Sequence, residues 1–276
     1  MIRDNRGVIL VTVLWVVLIL SLIAWGLSRR SSLEVSLLET YQGKLRSYAA
    51  ACAGVNSVLD LMQRQPSTKQ TPESIFSKNF GTDTKGRLVY GLQDEQGKIN
   101  VNAINLNNYQ VLSALFQLKG LSQAQADTLA LAVVSFAQPS PGNNRWLTSD
   151  SSQPAVLKPK GKPYEHLLEL LEVNGMTQAI FDQIKDDVTV WGDTQNGFWV
   201  NGDTANNEVI QAIANAAARG DPSMNAGDII RREGKSAYFR ARVVGVDAST
   251  GVRTVVQAVI HHTQGSAGEI IAWQRD

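Results

Sequence analysis

The sequence predicts an α+β protein: one long N-terminal helix packed on an antiparallel sheet that a mainly helical region interrupts. Three observations carry this. Residues 8 to 65 read as a single helix, apolar all round at first and one-sided afterwards. Near the C-terminal end two runs, within 236–244 and 251–262, alternate with period two, and a third short run follows at 269–276. Between these ends, two helix–glycine–helix patterns recur at a fixed offset of 55 residues.

The chain opens "MIRDNRGVILVTVLWVVLILSLIAWGLSRR". From Val8 to Ser28 there is no charge. As a helix this run spans about 31 Å at about 1.5 Å per residue, close to the hydrocarbon thickness of a bilayer. The apolar part of a secretory signal peptide covers only about 7–15 residues. Length therefore favours a retained span over a removable peptide, although Ala24-x-Gly26 offers a weak small-x-small cleavage site. Arg3 and Arg6 precede the run and Arg29 and Arg30 follow it, so the charges do not orient it.

The first proline is Pro66, and the helix is expected to continue up to it. Leu38, Tyr41, Leu45, Tyr48, Cys52, Val55, Leu59 and Met62 follow one another in steps of three and four, which puts them on one face. Glu39, Lys44, Arg46, Asn56 and Arg64 lie opposite. The apolar stripe is expected to be core for a sheet. Core packing is preferred over a coiled-coil seam, because the polar positions lack a regular pattern of complementary charges. Cys52, the single cysteine, reads as a core filler. One cysteine excludes an internal disulfide and a cysteine-built zinc site.

Residues 66–87 are rich in Ser, Thr, Lys and Pro and read as a loop. "RLVYGLQDEQGKINVN" reads as strand, turn, strand, with Asp94–Gly97 as the turn. "LFQLKGLSQAQADTL" from Leu115 and "LLEVNGMTQAIFDQI" from Leu170 then share Leu115/Leu170, Gly120/Gly175, Gln123/Gln178, Ala124/Ala179 and Asp127/Asp182. Each glycine can end one helix in the left-handed conformation, and Ser122 or Thr177 can cap the next. A weaker echo links "VNAINLNNYQVL" at Val101 with "VNGDTANNEVI" at Val200. Between the copies lies a proline-rich loop, 139–163, long enough to be functional or mobile.

At the C-terminal end, "SAYFRARVV", "GVRTVVQAVIHH" and "EIIAWQRD" are joined by the turns "DASTG" and "TQGSAG". They predict a three-stranded antiparallel meander with one face fit to lie on the long helix.

Nothing in the sequence builds a catalytic centre. Gly234-Lys235-Ser236 is a phosphate-loop fragment whose upstream glycine, Gly227, is too distant, and a strand follows where a helix is needed. His261 and His262 are neighbours on a strand and point to opposite faces, so both cannot bind one metal. His166 is solitary. No nucleophile-and-base pattern occurs. The net charge of +1 gives no electrostatic footprint for nucleic acid. The helix–glycine–helix copies resemble helix-hairpin-helix units that bind DNA phosphates elsewhere. Here only Lys119 lies in a hairpin, so they are read as packing units. The chain is expected not to be an enzyme.

A short basic leader ending in Gly7, an apolar helix beginning at Val8 and a helix continuing beyond the membrane together resemble type IV prepilin-like proteins. The resemblance implies cleavage by a prepilin peptidase between Gly7 and Val8, N-methylation of Val8, and retention of the helix. Such proteins usually carry glutamate at the fifth mature position; here it is Thr12. A buried carboxylate is costly unless neutralised, in the family by the terminal amine of a subunit ahead. A subunit with nothing ahead needs no such carboxylate, so Thr12 suits a filament tip. The plainer alternative is that Thr12 bonds back to its own helix.

With "DEQGKINVNA", "LLEVNGMTQAIFDQIKDDVTVWG" and the ending "IIAWQRD" in this order, nearly the whole chain resembles the general secretion pathway protein K family, the K-type minor pseudopilins of type II secretion systems. This implies a pilin-like sheet interrupted by a helical domain. The leader would be 1–7, the transmembrane part of the helix 8–28, the first part of the pilin-like domain 29–100, the inserted domain 101–224 and the closing meander 225–276. It also implies a single-pass inner-membrane protein, mostly periplasmic, at the pseudopilus tip. Its partners would be the I- and J-type minor pseudopilins, the major pseudopilin filament, the prepilin peptidase and, as further contacts, the secretin or exported cargo. No cofactor is assigned. Members can bind calcium in the helical domain, but between Pro139 and Pro163 the only acid is Asp150. Asp182, Asp186, Asp187 and Asp193 read as acids on a solvated face. The rival readings are a type IV pilus minor pilin and a membrane-anchored periplasmic hydrolase.

Overall fold

A computed structural model of the chain describes residues 6–64, 88–137, 160–194, 197–219, 225–232, 236–262 and 268–275. Outside these lie Met1–Asn5 of the leader, the 66–87 loop, residues 139–159 of the proline-rich loop, Gly234 and Lys235, and most of the "TQGSAG" turn.

The expected long helix is one element, α1 (Arg6–Arg64). The sheet it meets has four strands rather than three. Beside the meander of β6 (Tyr238–Val246), β7 (Arg253–His261) and β8 (Glu269–Arg275), β1 (Leu88–Asp94) pairs antiparallel with β6, giving the order β1-β6-β7-β8. Leu92 opposes Ala241, and Val243 opposes Val256, so the apolar faces of the strands coincide. After Asp94 the chain makes a 3-10 turn, Glu95–Gly97. The expected second strand, β2 (Ile99–Asn100), leaves this sheet and pairs in parallel with β3 (Val188–Thr189).

Which side of α1 faces the sheet differs from the stripe expected. Val55 is fully buried, and Tyr48, Cys52, Leu59 and Met62 are half-buried, but Leu38, Tyr41 and Leu45 are exposed. The buried seam runs instead through Gly43, Ser47, Ala51, Gly54, Val55 and Val58. The reason is close approach. A Cβ on Gly245 of β6 would press on the Ser47 carbonyl oxygen and stand 2.5 Å from the Ala51 amide nitrogen. One on Gly43 would press on the Thr250 hydroxyl. Small residues let the two backbones meet, and small residues carry no hydrophobic signal. Ser47 and Thr254 share a buried hydrogen bond of 2.7 Å across the seam. Further along, Ala51 and Val55 pack with Val243, Val256 and Ala258, and Val58 packs with Leu92, Phe239, Ala241 and Ile260.

The β6–β7 turn clamps the start of this seam. The Asp247 carboxylate accepts from the Ser249 hydroxyl (2.6 Å) and from the Thr250 hydroxyl (2.6 Å) and amide (3.1 Å). Gly251 closes the turn at φ +69°. Arg46 of α1 donates to Ser249 Oγ at 3.3 Å. The Ser249 and Thr250 bonds, helped by the Arg46 charge, hold the Asp247 carboxyl below its ordinary value. A depressed acid stabilises the fold above its unfolded pKa of about 4, and that contribution is lost as pH falls through the lower folded value. Asp247→Asn should therefore show a smaller loss of thermal midpoint between pH 6 and pH 3 than the parent. Parallel losses would exclude Asp247 from the acid response.

The chain between β1 and β6 forms a helical lobe with its own core. It contains α2 (Gln110–Leu118), α3 (Gln123–Ala137), a 3-10 helix (Leu167–Glu172), α4 (Gln178–Ile184), β4 (Val200–Asn201), α5 (Asn207–Ala217), α6 (Ala226–Ile229) and β5 (Ile230–Arg231). The duplicated pattern is visible in space. Gly120 and Gly175 take φ +96° and +89°, and Leu115 and Leu170 are both buried in one cluster. Thr177 caps α4 by accepting from the Ile180 amide at 3.3 Å. At Ser122 the device is reversed: the Gln125 side chain accepts from the Ser122 amide and hydroxyl. The second copy begins with a 3-10 helix rather than an α-helix. The weaker echo is a pair of strand-to-helix units, β2 to α2 and β4 to α5, whose helices pack together. The lobe's core takes in Ile99 at one end and Ile229 and Ile230 at the other.

Candidate assembly surface on the long helix

The sheet covers only the C-terminal third of α1. Among the described residues the first buried position is Gly43. Between Leu10 and Gln42, a length of roughly 50 Å at about 1.5 Å per residue, every described side chain is exposed. The large apolar side chains of the first stretch, Leu10 to Leu27, stand between 46% exposed (Leu18) and 72% exposed (Leu10). This segment is long and apolar enough to cross a membrane. The Arg29 guanidinium lies 5.6 Å over the Trp25 ring, an aromatic-basic pair of the kind that sits at a membrane–water boundary.

Beyond that boundary a helix surrounded by water should be polar on every exposed side, and this one is polar on only part of its surface. Val35 (52% exposed), Leu37 (70%), Leu38 (56%), Tyr41 (61%) and Leu45 (51%) are exposed, between Glu34, Glu39, Lys44 and Arg46. An apolar neck of this kind marks an interaction surface. Sequence periodicity found Leu38, Tyr41 and Leu45 but assigned them to the core. Their exposure was not readable, because the sheet's contact begins only where Gly43 and Ser47 allow it.

Gly7 and Val8 lie on the first turns of α1, and Thr12 lies on its exposed apolar part. Elsewhere the residues singled out from sequence are engaged structurally. His166 is exposed at the start of the 3-10 helix, where its amide donates to Glu169 Oε1 at 3.2 Å. The His261 ring packs on Tyr238 with centroids 4.7 Å apart, and the His262 amide donates to the Ala237 carbonyl at 2.7 Å. Ser236 donates to Asp94 Oδ2 at 2.5 Å, and Cys52 is a half-buried free thiol.

Lys119, the one hairpin cation, is consumed inside the lobe. It pairs with Asp187 at 2.8 Å and with Glu208. Burial alone would lower its pKa, but hydrogen bonds to both carboxylates outweigh that and raise it. Asp187 is therefore buried and paired, not an acid on a solvated face, and it also accepts from Asn206. Asp182 does face solvent, bonded to Lys185 at 3.0 Å. Among the described residues no group of three or more His, Cys, Asp or Glu is placed to hold a metal ion.

Compared with known proteins, the chain matches no family model and no curated protein. It does match a solved chain in the crystal structure of the GspK-GspI-GspJ complex from the enterotoxigenic Escherichia coli type 2 secretion system. The TM-score is 0.62 at 15% identity, over 88% of this chain and 99% of that one. The likeness covers most of the chain, and this chain shares the fold of a component of that complex.

Proposed function

We propose that the chain is a K-type minor pseudopilin of a type II secretion system. It nucleates the pseudopilus with I- and J-type partners, helix beside helix, and caps the major pseudopilin filament. On this reading the leader 1–7 is cut between Gly7 and Val8 by the prepilin peptidase, and Val8 is methylated. Residues 8–28 hold the chain in the inner membrane with the sheet and lobe in the periplasm. Thr12 stands where no subunit ahead has to be neutralised. The chain does no covalent chemistry, and the secretin or cargo meets the finished tip.

The observation that carries this reading is the apolar neck of α1. Its exposed side chains continue past the length a bilayer can cover, so a second solvent-excluding surface must meet them. A neighbouring apolar helix fits that need, and the solved chain of like fold comes from the GspK-GspI-GspJ complex. Co-purification of the full chain with candidate I- and J-type partners tests it. Leu38→Glu with Leu45→Glu should reduce recovery of the partners by about tenfold or more, since each buried leucine contributes about 1.5–3 kcal/mol. The thermal midpoint should stay nearly unchanged, because both side chains are more than half exposed and belong to no buried cluster. Full recovery of both partners by the double variant would exclude the neck as the assembly surface.

A further inference from the structure

The apolar clusters of the sheet and of the lobe share no residue. What lies between them is polar and buried. Glu95, fully buried in the 3-10 turn after β1, takes Lys98 Nζ on Oε1 at 2.8 Å and Arg240 Nη2 of β6 on Oε2 at 3.1 Å. Arg240 Nε stands 2.9 Å from Oε1, off the hydrogen-bonding line. The Thr189 hydroxyl of β3 donates to Oε2 from the lobe side. Burial alone would raise the Glu95 carboxyl, but the Lys98 and Arg240 charges, with the Lys98 and Thr189 bonds, hold it low.

Beside it, Asp94 ends β1. Its Oδ1 accepts from the Gln96 amide at 2.9 Å. Its Oδ2 accepts from Asn201 Nδ2 (2.9 Å), the Thr204 hydroxyl (2.7 Å) and the Ser236 hydroxyl (2.5 Å). One carboxylate thus ties the strand leaving the sheet, two points of the lobe and the strand returning. Gln96 adds a bond to the Trp199 carbonyl at 2.8 Å and accepts from the Asp193 amide at 3.3 Å. The backbones are in contact here: a Cβ on Gly97 would meet Thr204 Oγ1 at 2.7 Å and the Ala205 amide nitrogen at 3.0 Å.

We infer that this junction is a polar clamp that fixes the orientation of the helical lobe on the sheet, while each side keeps its own core. Apolar contact is non-directional, whereas a satisfied network of charges and hydrogen bonds permits one arrangement. Removing the Glu95 charge leaves the buried Lys98 and the partly buried Arg240 without this counter-ion, and the arrangement should yield at that point. The inference does not depend on what the chain assembles with.

The test uses the full chain in detergent micelles, with Cys52→Ser and spin labels at Gln211→Cys on α5 and Arg253→Cys on β7, both exposed positions. The parent should give one narrow distance distribution. Glu95→Gln should broaden it at least about twofold as the minor orientations become populated. Hydrogen exchange on the same sample should find α2 and α5, and β6 and β7, still protected. Asp94→Asn, which keeps the shape and removes a charge from the node, should broaden it less. An unchanged narrow distribution in both variants overturns the clamp. Joint loss of protection in lobe and sheet overturns the separate cores.

Discussion

Gly245→Ala is expected to destabilise the fold by about 3 kcal/mol, the upper part of the usual cost of overpacking. Alanine favours a strand interior over glycine, by roughly 0.5–1 kcal/mol, so intrinsic preference works in the other direction. The loss comes from position. Gly245 lies where β6 crosses α1, and its new Cβ would press on the Ser47 carbonyl oxygen, 2.5 Å from the Ala51 nitrogen and 3.1 Å from its Cα. These are backbone atoms of a helix and cannot rotate away. Relief requires α1 to lift from the sheet, which opens the seam around Ala51, Val55, Val243 and Val256. Denaturant unfolding of the sheet in the full chain measures this. Gly251→Ala is the internal comparison: φ is +69° with open space around it, so only backbone strain of about 1 kcal/mol is expected. A smaller loss at Gly245 than at Gly251 would mean that helix and sheet are not in backbone contact there.

The fold class was legible because three periodicities are long and unmixed. The apolar run and its continuation have no proline before Pro66, the first two strands of the closing meander alternate, and Gly120 and Gly175 recur in matching surroundings. What escaped was geometry set by small residues. Gly43, Ser47, Ala51 and Gly245 define the helix–sheet seam, yet a hydrophobic pattern passes over them and settles on Leu38, Tyr41 and Leu45. β1 was recognisable as a strand, but its place beside β6 follows from pairing across more than a hundred intervening residues, which no local pattern records. Asp187 was misassigned for a related reason: its partner Lys119 lies in another helix–glycine–helix unit, so the pair exists only after the lobe folds.

The candidate assembly surface was half legible. The span itself follows from composition, and the neck residues from their steps of three and four. Which of those residues face solvent depends on where the sheet begins to cover α1. The junction was visible only as a turn in "DEQGKINVN". That its Glu95 and Lys98 would be buried could not be read from a charged, glycine-containing stretch that ordinarily marks solvent.

Gly7→Leu is expected to leave the leader attached and to abolish secretion while the chain still reaches the membrane. If Val8 is the mature first residue, the peptidase must accept the bond between Gly7 and Val8, and a branched side chain before that bond alters what the peptidase has to hold. The consequence for assembly is electrostatic. A retained leader keeps Arg3, Asp4 and Arg6 at the head of the apolar run. For the helix to leave the bilayer and enter a filament, those charges would have to pass through hydrocarbon, at about 2.5–3.5 kcal/mol for each at the centre. Together they are enough to hold the helix at the inner face. N-terminal sequencing of the chain from cells, alongside measurement of exported protein, reads both parts. The parent should begin at a methylated Val8, and the variant should begin at Met1 with secretion reduced to background. Normal secretion with an intact leader, or a parent that begins beyond Trp25, would overturn the retained-anchor scheme and the tip assignment that depends on it.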